Sequence, residues 1–156
     1  EKIVRNENSL DLIWCIVDRK TIEKYIASLN ELGVEKITFV YCEYSQKNFK
    51  LNFEKLEKIL INSSSQCGRS DIIKLDFCNS LEEVIKENEN VYFLDFSDIS
   101  IDDKKEDIKT LVIGCEGGFS KDERLTFNKE KIVGFKSNII LRSETAILSA
   151  ASKILI

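Results

Sequence analysis

The most constraining feature of the sequence is a glycine-rich segment, residues 113–120, which reads Ile-Gly-Cys-Glu-Gly-Gly-Phe-Ser. The apolar residues 110–113 lead into it and predict a buried strand. Ser120 and Glu123 form the Ser-x-x-Glu pattern that marks the start of a helix. Glycines between a strand and a helix let backbone N–H groups come close to a bound molecule. A tight turn with no such role would show the same pattern.

A second segment, residues 138–146, has the same order of strand, polar turn and helix. Residues 139–141 predict a short buried strand, Ser143 is a candidate N-cap, and Arg142 lies at the exit of the strand. The apolar side chains that follow share one helical face: Ile147, Ala150, Ala151, Ile154 and Leu155. Because ligands of open α/β sheets bind at the carboxyl ends of the strands, the two polar turns could border one ligand.

The remainder of the chain alternates between strand and helix patterns. Helices are predicted over residues 21–32, over residues 53–64 and after Ser80, which forms a second capping pattern with Glu83. An acidic stretch, residues 102–107, predicts an exposed connector. Strands are predicted over residues 10–17, 36–41, 71–77 and 91–96. The alternation predicts one α/β domain, with a mostly parallel sheet and helices on both faces.

Composition excludes several classes of protein. The 156 residues include no histidine, so a Ser-His or Cys-His nucleophile cannot form within one chain. No apolar run is long enough to span a bilayer, and the net charge of −4 gives no sign of nucleic-acid binding. The cysteines form no Cys-x-x-Cys pair, which argues against zinc or a disulfide framework and favours a reducing, cytoplasmic location. They are Cys15, Cys42, Cys67, Cys78 and Cys115.

The two polar segments together resemble the C-terminal signature of the RsmE family. Residues 113–123 match its I-G-P-E-G-G-F-S-x-x-E block except for Cys115, and residues 140–146 match I-L-R-T-E-T-A except for Ser143. Residues 31–34 and 65–69 are similar to two further family motifs, E-L-G-V and E-Q-S-G-R, in the family's order. The chain departs from the pattern at Ser137, where the family usually has glycine, and at Ile139, where it often has arginine.

The resemblance implies a fold and a function. RsmE proteins are SPOUT-class methyltransferases of uridine N3 in small-subunit ribosomal RNA, with a C-terminal trefoil knot that binds S-adenosylmethionine. The resemblance therefore implies a homodimer without a metal, whose methyltransferase domain spans residues 1–156. Nothing in the chain corresponds to the family's N-terminal PUA-like RNA-binding domain. Two alternatives are a SPOUT enzyme that methylates a ribose 2′-hydroxyl or another base, and a cofactor-binding module without activity.

The same resemblance assigns site residues. Arg142 is the first candidate for a catalytic group, with phosphate or cofactor binding as its alternative, and Glu116 is the second, with bonds to its own turn as the alternative. Gln66 and Arg69 are candidates for RNA binding or for plain helix surface. The negative charge of Glu144, in the first turn of the last helix, is expected to interact favourably with the helix dipole. The expected cofactor contacts are Leu94, Asp95, Ile113, Gly114, Glu116, Gly117, Gly118, Ser137, Ile140, Leu141, Arg142, Thr145 and Ala146.

Overall fold

The computed structural model describes residues 2–47 and 50–156. Glu1, Asn48 and Phe49 lie outside the described residues, and so does the predicted start of the domain at Glu1. The strands are β1 (Asp11–Cys15), β2 (Lys36–Val40), β3 (Lys74–Cys78), β4 (Val91–Leu94), β5 (Thr110–Ile113) and β6 (Ile132–Val133). The α-helices are α1 (Arg19–Leu32), α2 (Phe53–Cys67), α3 (Leu81–Glu87), α4 (Ile101–Lys104), α5 (Lys121–Thr126) and α6 (Ser143–Leu155).

The six described strands form one sheet in the order β3-β2-β1-β5-β4-β6, and every neighbouring pair is parallel. The central strands β1 and β5 are buried on both faces, as a sheet covered by helices on each side requires. The predicted parallel α/β sheet is therefore confirmed. The knotted path of the C-terminal segment stays a prediction from the resemblance.

Helices cover both faces of the sheet. On one face α1 packs against α2 and α6, and the ring of Trp14 lies 6.1 Å from that of Phe39, which faces Phe53 of α2 at 6.2 Å. On the other face Phe93 stacks on Phe127, just after α5, with ring centroids 3.9 Å apart. In the described ranges, every helix is too short or too polar to cross a membrane.

Local caps explain where the helices begin and end. Asp18 accepts a hydrogen bond from the backbone N–H of Thr21, so α1 begins two residues earlier than the predicted residue 21. The helix ends at Gly33, whose φ of 98° suits glycine. Ser120 and Glu123 form both hydrogen bonds of a capping box at the start of α5, as predicted.

Two local predictions are wrong, and a third is refined. Residues 139–141 form no strand, since Ile139 and Ile140 are 74% and 78% exposed and pair with no described strand. The strand that pairs with β4 at one edge of the sheet is β6, which is too short to show alternation in sequence. The acidic connector at residues 102–107 is largely exposed, as predicted, but it begins within a helical turn, α4, which Ser100 caps. Ser143 is the first helical residue of α6, and Arg142 occupies the N-cap position without a side-chain hydrogen bond.

Candidate active site

A cleft of about 880 Å³ opens at the carboxyl ends of β4 and β5. This volume lies within the range of ~300–1,000 Å³ that is typical of small-molecule sites. Three segments line the cleft: residues 94–98 after β4, residues 113–119 after β5, and residues 135–141 before α6. The two polar turns singled out in the sequence therefore border one cleft, at the edge of the sheet where α/β proteins bind ligands.

The turn after β5 is closed by its own backbone. The N–H of Gly118 donates to the carbonyl of Cys115 at 2.9 Å, which places Glu116 and Gly117 at the corner. Gly118 has a φ of 71°, a left-handed conformation that side chains disfavour. A Cβ on Gly117 would lie 3.0 Å from the Cβ of Tyr44. The glycines thus let the turn fold tightly against its neighbour and expose its backbone to the cleft.

A buried hydroxyl joins this turn to the last helix. The Oγ of Ser143 donates to the carbonyl of Gly114 at 2.6 Å and accepts from Nε1 of Trp14 at 3.0 Å. Because Trp14 lies in the middle strand β1, the bond fixes both the turn and the start of α6 to the sheet. Serine at position 143 is therefore a structural link between two walls of the cleft.

An ion pair joins the residue after β4, Asp95, to Arg124 of α5. Arg124 binds the Asp95 carboxylate with two bonds, Nε to Oδ2 at 2.6 Å and Nη2 to Oδ1 at 3.2 Å. The Asp95 carboxylate raises the pKa of Arg124, so the guanidinium stays charged. The Arg124 side chain is 44% exposed and lines the cleft, yet nothing in the sequence motifs indicates it. Its position one residue after the Glu123 of the capping box is the only signal that could have suggested it.

The third wall, residues 135–141, has few internal bonds. The N–H of Ile139 donates to the Ser137 hydroxyl at 3.1 Å. Within the described part of the chain, the backbone groups of Ile140 form no hydrogen bond and are available to a ligand. Positive φ occurs only at glycines among the described residues, so Ser137 fits its backbone position without strain.

Most of the predicted cofactor contacts line the cleft, and two do not. Thr145 is exposed on α6 outside the lining, and Arg142 is exposed beside it, between the lining residues Leu141 and Ser143. Those that line it are Leu94, Asp95, Ile113, Gly114, Glu116, Gly117, Gly118, Ser137, Ile140, Leu141 and Ala146. Cofactor binding by each of these residues stays a prediction.

The two candidate catalytic side chains, Glu116 and Arg142, extend into solvent. Within the described residues, the Glu116 carboxylate and the Arg142 guanidinium form no hydrogen bond or ion pair, and both are exposed. The alternative in which Glu116 bonds to its own turn therefore gains no support. Glu144 lies in the first turn of α6, as the helix-dipole role requires, and its Oε2 is buried without a partner among the described atoms.

The candidate RNA-binding residues lie at the end of α2, away from the cleft lining. Gln66 is exposed, whereas Arg69 donates to the Asn30 carbonyl at 2.9 Å and to Asp71 at 2.8 Å. These bonds give Arg69 a structural role in holding α1 and α2 together. RNA binding by either residue stays a prediction.

Three thiols cluster at the glycine turn, one of them, Cys115, within the turn itself. The Sγ atoms of Cys42 and Cys115 are 3.3 Å apart, and Cys15 is a further neighbour of Cys42. Hydrogen bonds with Cys115, and then with Cys15, lower the pKa of Cys42, whereas its partnership with Cys42 raises the pKa of Cys115. Burial raises the pKa of Cys15. The described residues contain no group of three ligating side chains that could hold a metal ion.

Comparisons with known proteins identify the class of the chain. A family model described as an RNA methyltransferase domain matches residues 4–155. The chain therefore belongs to the RNA methyltransferase domain family. Its fold is shared with a probable rRNA methyltransferase from Porphyromonas gingivalis, with a TM-score of 0.82 and 21% identity over 99% of this chain and 70% of the other.

Two relatives are more similar in sequence. The ribosomal RNA small subunit methyltransferase E of Helicobacter pylori is 38% identical over 144 residues, which cover 90% of this chain and 64% of the relative. A putative methyltransferase from Legionella pneumophila, solved with bound S-adenosylmethionine, is 28% identical with a TM-score of 0.67, over 92% of this chain and 65% of that one. The chain thus spans less than two thirds of the length of both proteins.

Proposed function

We propose that this protein uses S-adenosylmethionine to methylate N3 of a uridine in small-subunit ribosomal RNA. The observation that carries the proposal is the convergence of the two signature turns on one cleft at the ends of β4 and β5. The printed name of the Helicobacter pylori relative and the cofactor bound in the Legionella pneumophila structure support it. Both segments that match the RsmE family lie in the walls of this cleft.

The residues of the cleft fit the cofactor. Half-buried apolar side chains on both sides, Leu94 and Leu141 among them, provide apolar surface for an adenine ring. The unbonded backbone groups of Ile140 can pair with the polar edge of the adenine. The exposed turn at Gly117 leaves room for the backbone to approach the rest of the molecule. When bound, the cofactor supplies an electrophilic methyl group on a positively charged sulfur.

Side chains at the mouth of the cleft account for the chemistry of the acceptor. Uracil N3 loses its proton when it is methylated, and negative charge spreads onto the two neighbouring carbonyl oxygens. In this proposal Arg142, exposed and unpaired within the described chain, stabilises that charge, an effect of roughly 2.7–4 kcal/mol per donor in other enzymes. Glu116 can accept the N3 proton directly or through water. Positioning of the uracil against the methyl group supplies the remainder of the rate.

The Asp95–Arg124 pair has a supporting role in this proposal. Because both charges of the pair are committed to each other, Arg124 is a poor candidate for a group that moves during the reaction. It instead holds the loop after β4 against α5, on the side of the cleft opposite α6. Gly118 faces the same guanidinium, since a Cβ at that position would lie 3.8 Å from Nη2.

The proposal includes a homodimer that works on ribosomal RNA in the cytoplasm. Ala150 and Ala151 of α6 are fully buried within the single chain, so they belong to its own core and are not free for a dimer contact. Exposed apolar side chains that remain available for a dimer contact border the cleft; they are Phe96, Ile139 and Ile140. Gln66 and Arg69 remain the proposed RNA contacts of the chain.

Calorimetric titration with S-adenosylmethionine tests the cofactor assignment. We expect one saturable site per chain, retained in Lys58→Ala, which removes an exposed charge on α2. Gly117→Val should abolish binding, because even its Cβ would press on Tyr44 at 3.0 Å. Arg142→Ala should bind normally if the arginine acts on uracil, and weakly if it holds the cofactor. Absence of binding by the folded wild-type chain would contradict the proposal.

A further inference from the structure

Three thiols converge from distant parts of the sequence. Cys15 ends β1, Cys42 lies two residues beyond β2, and Cys115 lies two residues beyond β5. Since β1 pairs with both β2 and β5, the three strand ends are neighbours in the sheet. Cys42 and Cys115, separated by 73 positions in sequence, bring their Sγ atoms to 3.3 Å. This is a contact distance from which a short movement would form a covalent bond.

One member of this pair is part of the cleft. Cys115 lines the cleft between Gly114 and Glu116, and its carbonyl closes the glycine turn through Gly118. Cys42 lies outside the lining, and its Sγ is 3.2 Å from the Ser45 hydroxyl. The pair therefore connects the loop after β2 to the turn that shapes the cofactor site. Both side chains are buried, 3% and 6% exposed, so a small oxidant can reach them only through the cleft or by local opening.

We propose that Cys42 and Cys115 form a reversible disulfide in the presence of a peroxide, and that this bond lowers the affinity of the cleft for its cofactor. The second half of this proposal rests on the proposed function, and the first half does not. Cys115 stands where the RsmE pattern has proline, so the pair is a property of this chain. Cys67 and Cys78, the other two thiols, lie away from the cleft and lack such a partner.

The chemistry is a two-electron oxidation. The thiolate of Cys42 attacks one oxygen of hydrogen peroxide, which breaks the O–O bond and gives a sulfenic acid and, after protonation, water. The sulfur of Cys115 then attacks the sulfenic sulfur, loses its own proton, and releases a second water. Two thiols and one peroxide thus become one disulfide and two waters. A small thiol reductant reverses the reaction by exchange.

The bond would move the turn by more than a binding site tolerates. A disulfide requires an S–S distance of about 2.05 Å, so the two sulfurs must approach by roughly 1.2 Å from their present 3.3 Å. Binding sites hold their groups to within about 0.5 Å, so part of this movement in the turn is enough to misplace its backbone. We expect an affinity loss of about tenfold or more, which corresponds to 1.4 kcal/mol.

Peptide mapping of the whole chain tests the covalent step. Trypsin places the three thiols on separate peptides, residues 6–19, 37–47 and 110–121. After peroxide treatment and alkylation without reductant, mass spectrometry should find 37–47 joined to 110–121 with the loss of two hydrogens. Cys78→Ser should give the same link, and Cys42→Ser should give none. A link between 6–19 and 37–47, or thiols oxidised without any link, would overturn the assignment.

Calorimetry on the same samples tests the effect on the cleft. The oxidised chain should bind S-adenosylmethionine about tenfold or more weakly, and a reductant should restore the affinity. Cys42→Ser should bind equally well before and after peroxide. A mapped disulfide with unchanged affinity would refute the second half of the proposal. If the reduced wild-type chain binds no cofactor, the proposed function and that second half both fail, while the peptide map still decides whether the disulfide forms.

Discussion

The hydrogen bonds of the Ser143 hydroxyl predict that removing this one oxygen atom causes a large loss of stability. Ser143→Ala leaves the buried indole N–H of Trp14 without its partner and removes the hydrogen bond to the half-buried carbonyl of Gly114. An unsatisfied buried group costs about 1–3 kcal/mol and a lost hydrogen bond about 0.5–1.5 kcal/mol, so we expect a loss of about 1.5–4.5 kcal/mol in the free energy of unfolding. This is a substantial part of the ~5–15 kcal/mol that stabilises a typical domain.

Urea denaturation followed by circular dichroism measures this loss. Ser149→Ala is the matched control in α6, because Ser149 forms no side-chain hydrogen bond within the described residues and should change stability by less than about 0.5 kcal/mol. Combining Ser143→Ala with Trp14→Phe should give less than the sum of the single effects, because the two residues share a bond. A loss below about 0.5 kcal/mol for Ser143→Ala, with an unchanged m-value, would refute the reasoning.

Two further predictions concern backbone strain and pH. Gly118→Ala and Gly68→Ala should each cost roughly 1–2 kcal/mol of stability, because both glycines have φ near 75° in the left-handed region, but only Gly118→Ala should weaken S-adenosylmethionine binding. Equal affinities of the two variants in calorimetry would contradict this. Burial, and then the charge of Glu35, raise the folded-state pKa of Asp11. The folded chain therefore binds that proton more tightly than the unfolded chain, so Asp11→Asn should be more stable than wild type at pH 7 and lose this advantage as the pH falls through the raised pKa. If the stability advantage of Asp11→Asn grew as the pH fell, the direction of the pKa shift would be wrong.

The sequence predicts the fold well where long patterns and caps agree. The apolar runs of β1, β2 and β5 and the capping box at Ser120 place most of the elements within a few residues of their observed bounds. Local pattern fails at residues 139–141, where three apolar residues resemble a strand but line the cleft, with Ile139 and Ile140 exposed. No sequence rule indicates such a case, since the exposure depends on what the segment faces in the folded chain.

The candidate site is only partly predictable for the same reason. The glycine-rich turn and the polar turn before α6 each have a local signature in the sequence, and these motifs predict both turns. Arg124 binds Asp95 from a position 29 residues away, and Cys42 meets Cys115 across 73 residues, so neither contact leaves a local pattern. Ser143 appears in sequence as a simple N-cap, whereas its hydroxyl joins α6 to β1 and to the glycine turn.

The central claim is tested most directly by incubating the chain with small ribosomal subunits that lack the modification and with S-adenosylmethionine. Nucleoside analysis by mass spectrometry then identifies the product. The account predicts 3-methyluridine at one position, with the yield falling in Arg142→Ala and unchanged in Lys58→Ala. A methyl group on a ribose 2′-oxygen or on another base, or no methyl transfer by a chain that binds the cofactor, would contradict it.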